Sequence, residues 1–120
     1  MTIKPITLFK LLFCALTEVW KSNEVDNLAD YLSEALPFAA PEGSFDPAVY
    51  DDFKMAFLKW DKGYEEYGYD FVLWYLENID SYYGDIKSLF LTLPKEEYIR
   101  ACDVNIALSD DEMIEKYLLP

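Results

Sequence analysis

Histidine is absent from the 120 residues, which removes the side chain that most often acts as a general base or metal ligand. Neither a Ser-His-Asp triad nor a Cys-His pair can be built without it. The phosphate-binding patterns G-x-x-x-x-G-K-[ST] and G-x-G-x-x-G are missing as well. Carboxylate pairs are plentiful, which leaves two-acid glycosidase chemistry as the enzymatic alternative. The sequence predicts a protein that is not an enzyme and needs no cofactor.

The spacing of a calcium loop is also missing. Such a loop requires glycine at its sixth position and glutamate at its twelfth. Counted from Asp61, these positions hold Glu66 and Val72. Counted from Asp80, the twelfth position holds Leu91. No metal site is predicted.

Cysteine and long apolar runs are scarce. Cys14 and Cys102 each have apolar neighbours, which predicts buried, reduced thiols. The apolar run "ITLFKLLFCAL" (6–16) is interrupted by Lys10, is too short to span a bilayer and precedes no A-x-A cleavage site. We therefore expect a core helix in a soluble, cytoplasmic protein.

Basic residues are few. The chain has 10 Lys and Arg against 23 Asp and Glu, a net charge of −13. This balance disfavours direct binding to nucleic acid or to an anionic membrane, and favours a basic protein partner. Residues 41–80 are the most acidic third, with ten acids against three bases. The alternative interpretation is that the charge serves solubility.

Helix signals dominate what is present, and no alternating segment is long enough to require a strand. We expect a single helical domain over residues 1–120, an all-α compact bundle of five to seven short helices. A proline-rich loop (37–47) separates the second and third helices. The first predicted helix runs from Pro5 to about Lys21, and Ser22 or Asn23 caps the second. The third runs from Pro47 to about Lys62, the fourth covers about Glu65–Tyr83, and the fifth covers Asp85–Leu93. The sixth begins near Pro94, and the last begins at a Ser109–Glu112 capping box and is followed by Pro120.

Two aromatic stripes follow the third and fourth helices at helical spacing. Met55 and Leu58 lie off the first stripe, and they suit contact with a neighbouring helix, an exposed apolar patch or a dimer contact. Phe38 and Phe45 are expected to pin the loop to the body. The predicted core stripes are Val49, Tyr50, Phe53, Ala56, Phe57 and Trp60 on the third helix, and Tyr67, Phe71, Trp74, Tyr75 and Tyr82 on the fourth.

The segment "WDKGYEEYGYD" (60–70) concentrates acids and tyrosines. With Glu66 at zero on a helical wheel, three later acids fall between about −40° and 40°. No basic residue lies between positions 65 and 80, so this acidic face costs helix stability. This acidic face is either a solvated face or a surface for a cationic partner. If the third and fourth helices form a hairpin, Glu42 and Asp46 extend the same surface. The predicted partner-binding residues are Asp61, Tyr64, Glu65, Glu66, Tyr69, Asp70, Glu77, Asp80, Asp51 and Asp52.

The segments "LADYLSEALPF" (28–38) and "EGSFDPAVYDDF" (42–53) resemble bacterial immunity proteins of contact-dependent growth inhibition systems. The resemblance implies a cytoplasmic protein that binds and blocks the toxin domain of its own system. It supplies no binding residue, so the site residues above depend on the charge pattern.

Three kinds of binding protein fit the sequence. The first is an immunity protein that neutralises a basic toxin of nuclease type by covering its active or substrate-binding surface. The second is a nucleic-acid mimic that inhibits a DNA- or RNA-binding defence protein. The third is a generic helical interaction module. Clustering of the acids among tyrosines favours the first, because a mimic requires carboxylates spaced like phosphates along a stripe.

Overall fold

Every regular element among the described residues is an α-helix. The structure is a computed structural model that describes residues 2–118, apart from the side chains of residues 80 and 81. The predicted all-α class is confirmed, and the number of helices in this range falls within the predicted five to seven. The helices are α1 (Pro5–Ser22), α2 (Asp26–Ala35), α3 (Pro47–Lys59), α4 (Glu65–Tyr83), α5 (Ile86–Phe90), α6 (Lys95–Asn105) and α7 (Asp110–Tyr117).

Helix α1 lies at the centre and packs against each of the other six helices. It can do so because it is apolar on most sides, and eleven of its eighteen residues are buried. Cys14 is one of these, and both it and Cys102 of α6 are free and buried, as predicted. Within the described range, no helix has the length and apolar character needed to cross a membrane.

The starts of α3 and α7 confirm their predicted caps. The Asp46 carboxylate accepts a hydrogen bond from the Ala48 N–H at 3.1 Å, and Pro47 occupies the first turn. Ser109 and Glu112 form both bonds of a capping box. Both starts could be predicted because the signal lies in the local sequence. Pro120 lies outside the described residues.

Two other predicted helix ends are wrong. Neither Ser22 nor Asn23 caps α2, since α1 continues through Ser22 and the Asn23 N–H donates to the Trp20 carbonyl. The third helix ends at Lys59 rather than near Lys62, because Trp60 turns to an extended conformation with ψ 127°. Its indole N–H donates to the Gly63 carbonyl at 2.7 Å and fixes the turn.

Helices α3 and α4 run antiparallel and are joined by aromatic contacts. The Phe53 ring lies 5.5 Å from that of Phe71 and 5.0 Å from that of Tyr75, in edge-on geometry. Most of the two predicted stripes is accordingly buried or half-buried. Tyr82 is the exception at 78% exposed, because the space between the end of α4 and the start of α3 is open.

The loop before α3 is held differently from the prediction. Phe38 does pin it, with its ring edge-on to Phe13 at 6.0 Å. Phe45 does not, since its side chain is 69% exposed. The Phe45 N–H donates instead to the Leu36 carbonyl at 3.0 Å. The buried Ser44 hydroxyl accepts from the Tyr50 N–H at 2.9 Å, so hydrogen bonds replace the second aromatic anchor.

Candidate functional site

Helix α4 opens with a left-handed turn. Glu66 (φ 56°, ψ 47°), Tyr67 (φ 56°, ψ 39°) and Gly68 (φ 64°, ψ 31°) are consecutive residues in this conformation. For residues with a Cβ the conformation costs about 1–2 kcal/mol each. The predicted helical wheel is wrong at Glu66, because a right-handed rotation of 100° per residue does not carry through the turn.

Contacts from α6 hold this turn in place. The buried Tyr98 hydroxyl donates to the Tyr67 carbonyl at 2.9 Å, and the Tyr67 hydroxyl donates to the Asp103 carboxylate. The hydrogen bond to Asp103, assisted by burial, raises the pKa of Tyr67 to about 12. The turn is thus fixed by groups more than thirty residues away in sequence, which no local pattern could reveal.

Lysines from α5 and α6 offset part of the predicted acidic face. Lys95 Nζ lies 3.0 Å from a Glu66 carboxylate oxygen, and Lys87 Nζ lies 3.5 Å from Glu77. The hydrogen bond that Lys95 donates to Glu66 raises the pKa of Lys95, and the charge of Asp70 contributes in the same direction. Although no basic residue lies between positions 65 and 80 in the sequence, these acids therefore have basic neighbours from other helices. Asp80 lies in α4, and its side chain is outside the described part.

The two tyrosines predicted to flank the acidic face are engaged in packing. The Tyr64 ring stacks on Phe57 with centroids 4.2 Å apart, and its hydroxyl donates to the Phe57 carbonyl. Tyr69 packs against Phe90, with Lys95 Nζ 5.2 Å from its ring centroid. Both are half-buried, so they stabilise the fold rather than present free aromatic surface.

A different surface, the α3–α4 groove, remains open. It consists of two adjoining cavities of about 280 and 370 Å³. They share Asp52, Tyr75, Asn78 and Ile79 as walls. The first continues to the start of α3 and the end of α4, and the second continues along α3 towards its end. The other lining residues are Asp46, Ala48, Val49, Tyr82 and Tyr83 in the first cavity, and Met55, Ala56, Lys59 and Trp74 in the second.

Carboxylates without ion pairs stand beside this groove. Among the described residues, Asp46, Asp51 and Asp52 form no ion pair with a lysine or arginine. Asp51 and Asp52 are exposed, and Asp46 is half-buried. Tyr75 has a pKa raised first by burial and further by the charge of Asp52, which agrees with Asp52 facing the groove wall. This end of the groove is therefore negative and unneutralised.

The predicted site residues thus divide into separate groups. Asp52 lies in the first half of α3 and lines the groove, whereas Asp51 precedes it in sequence and lines neither cavity. Asp61 and Glu65 are exposed and unpaired within the described range, but they lie at the opposite end of the antiparallel pair. Glu66, Asp70 and Glu77 lie on the side of α4 that receives lysines from α5 and α6.

The sequence predicts only part of the exposed apolar surface in and beside the groove. Met55 is 58% exposed and Leu58 is 67% exposed, which supports the patch among the alternatives considered for them. The sequence pattern predicts Tyr82 in the core, which is wrong, and no pattern in the sequence indicates Asn78. The off-stripe position of Met55 together with an antiparallel helix pair is the sequence feature that points to this groove.

Comparison with protein families, curated proteins and solved structures finds no significant match to this chain. Within the described residues, no group of three or more cysteines, aspartates and glutamates is placed to hold a metal ion.

Proposed function

We propose that this protein binds a basic protein through the α3–α4 groove and the carboxylates beside it, and that it acts as a toxin-immunity protein. Its partner is a basic toxin domain, of nuclease type, whose active or substrate-binding surface it covers. The observation that supports this most directly is that Asp46 and Asp52, which have no ion pair within the described residues, line the same groove as exposed Tyr82 and Met55. The protein acts by binding and not by catalysis.

Charge and apolar surface have separate roles in such binding. Nucleases bind a polyanion, so their substrate surfaces are basic. A net charge of −13 attracts such a surface over a distance and speeds association. Exposed aromatic and apolar side chains then supply most of the affinity once water is excluded. The α3–α4 groove offers both kinds of group within one short stretch of surface.

The area required extends beyond the two cavities. A stable protein–protein interface covers about 800 Å² on each partner, roughly an eighth of the 6716 Å² accessible surface of this protein. Leu58 and Phe45, both largely exposed, lie on α3 and in the loop just before it. We expect the partner to cover these residues in addition to the groove.

A nucleic-acid mimic is the second candidate. It depends on carboxylates spaced regularly along a surface, as phosphates are in a duplex. Lys95 and Lys87 interrupt such a row at Glu66 and Glu77, which favours the immunity proposal.

The first experiment uses the protein as bait in its native host, at low and then physiological ionic strength, followed by an activity assay of the basic protein recovered. We expect a basic toxin domain whose nuclease activity falls when the bait is added in equal amount. If no basic protein is retained at low ionic strength, the proposal is wrong and the charge serves solubility.

Paired charge reversals then test where the partner binds. Asp51→Lys with Asp52→Lys is compared with Asp111→Lys plus Glu115→Lys, two exposed positions on α7. Both double variants change the net charge from −13 to −9, so long-range attraction changes equally. We expect the α3 variant to dissociate faster and bind at least about tenfold more weakly than the α7 variant. Equal loss in the two variants would contradict a site at the groove.

A further inference from the structure

We infer that the first cavity of the α3–α4 groove receives an arginine side chain of the basic partner. This inference depends on the proposed function for its partner, but the cavity can be tested without one. The cavity lies between the start of α3 and the end of α4, with Asp46 and Asp52 on one side and Tyr82 and Asn78 on the other.

The size of the cavity suits one side chain. Its volume is about 280 Å³, at the lower limit of pockets that enclose a drug-sized ligand. Val49 and Ile79 supply apolar walls against which the methylene groups of a long side chain can pack. Tyr82 is 78% exposed, and its ring stands edge-on to Tyr83 at 4.7 Å. One face of this tyrosine therefore remains open to a planar cation.

The polar groups of the cavity are mainly acceptors in need of donors. Asp46 uses one carboxylate oxygen, Oδ1, to cap α3. The Asn78 side-chain N–H donates to the Trp74 carbonyl at 2.8 Å. Within the described residues this leaves the second oxygen of Asp46, the carboxamide oxygen of Asn78 and both oxygens of Asp52 without a hydrogen-bond donor.

Electrostatics at this point favour a cation. No lysine or arginine is among the residues that line the first cavity. The last turn of α4 adds the partial negative charge of its free carbonyl groups. The start of α3 contributes an opposing positive end, which the Asp46 carboxylate already caps. Asp52 carries a full charge that nothing in the described structure neutralises, and it is the main anion of the cavity.

Arginine fits this set of groups better than lysine. Its guanidinium carries five N–H donors in one plane, which matches several acceptors on different walls. The plane can also lie against the open face of Tyr82 while one edge bonds the Asp52 carboxylate. Lysine offers one compact charge with three donors and cannot stack in this way.

The direct test titrates the intact, ¹⁵N-labelled protein with N-acetyl-L-arginine amide and follows its backbone amide resonances. The matched probes are the corresponding amides of citrulline, which has the same shape without the charge, and of lysine. We expect saturable shifts at Val49, Asp52, Asn78 and Tyr82 with arginine, weaker ones with lysine and none with citrulline. Equal shifts with citrulline or with lysine, or shifts spread over the other acids, would overturn the inference.

Adjacent residues of α3 provide a matched pair of variants. Asp52→Asn and Asp51→Asn remove the same charge from neighbouring exposed positions, but only Asp52 lines the cavity. We expect Asp52→Asn to weaken the arginine probe by about tenfold, as the loss of a hydrogen bond to a charged group does, and Asp51→Asn to change it by less than about twofold. Equal effects in the two variants would overturn the assignment.

The two proposals fail in different experiments. If the arginine probe binds as expected but no basic protein is retained from the host, the immunity function fails and the arginine pocket stands. If a basic toxin is neutralised as well by Asp52→Asn as by the unchanged protein, the function stands and the arginine pocket fails.

Discussion

Acidic and tyrosine side chains lie along both long sides of α4, but they have partners on one side and lack them on the other. On the side that faces α5 and α6, Glu66 and Glu77 have lysine partners, and the Tyr67 and Tyr98 hydroxyls are hydrogen-bonded. On the side that faces α3, Asp52 has no ion pair within the described residues and Tyr82 is largely exposed. Acidic and aromatic composition alone does not distinguish these two sides.

The difference indicates which side has binding capacity left. A charge that already has a partner is partly neutralised, so it gains less from a second cation. An unpaired exposed carboxylate beside apolar surface loses only hydration. This difference is the reason for proposing the α3–α4 groove, rather than the α6-facing side of α4, as the binding surface.

The largest expected effect concerns the packed side of the molecule, where α6 is held against α1, and is a loss of stability at alkaline pH. Burial raises the pKa of both Cys14 and Cys102, where α1 packs against α6, from the ordinary 9.0 to about 12. Unfolded thiols ionise near pH 9 while the folded ones stay protonated, so stability is full below about pH 9 and falls as the pH rises towards 12. We expect urea denaturation to show a loss of about 2–4 kcal/mol between roughly pH 8.5 and 10.5.

A cysteine variant identifies the groups responsible for this loss. Cys102→Ala removes one of the two titrating thiols, so its stability should fall less steeply with pH than that of the wild type. Buried tyrosines such as Tyr98 act in the same direction at higher pH, because their pKa is raised by burial as well. Stability that stays level between pH 8.5 and 10.5 would contradict this account of the α1–α6 contact.

The second effect concerns the left-handed turn that aligns Glu66 with Lys95. Gly68 has φ 64°, and a Cβ built on it would lie 3.0 Å from Leu8 Cδ2. Gly68→Ala combines backbone strain with a close contact against α1, and we expect it to lower the free energy of unfolding by about 1–3 kcal/mol. Urea denaturation at neutral pH measures the change.

Gly43→Ala is the control for this variant. A Cβ at Gly43 would meet only the Ala40 Cβ, at an ordinary 3.7 Å, and φ there is not in the left-handed region. Its stability should stay the same or rise slightly, since alanine restricts the unfolded chain. Equal destabilisation by the two variants would mean that the turn at Gly68 is not the cause.

Local signals in the sequence account for much of the fold. The Asp46 cap, the Ser109–Glu112 capping box and the buried faces of α1 and α3 follow from spacing within a few residues, and each was predicted. The left-handed turn could not be predicted, because the Tyr98 and Asp103 side chains that hold it come from another helix. A helical wheel assumes a regular right-handed backbone. Glu66 lies in the left-handed turn, so the wheel does not give the direction of its side chain.

The candidate site was less predictable for a similar reason. Charge counting identified Asp51 and Asp52 but weighted them no more than Glu66 or Glu77. Which acid has a basic partner depends on where α5 and α6 return across α4, and that is a property of tertiary packing. Tyr82 was placed in the core because its spacing from Tyr75 fits a helical face, although α3 leaves the end of that face open.

The smallest effect comes from removing the lysine that neutralises Glu66. Lys95→Met keeps much of the apolar stem over Tyr69 but removes the ion pair, which is largely exposed and therefore weak. Lys54→Met is the control, because Lys54 is exposed and has no ion pair among the described residues. We expect Lys95→Met to lower the urea midpoint slightly more than Lys54→Met at low ionic strength, with the difference vanishing at high salt. A difference that persists at high salt would show that Lys95 stabilises the turn by packing. Identical midpoints at low salt would show that the ion pair contributes nothing to stability, and that the α6-facing acids are no more neutralised than those of the groove.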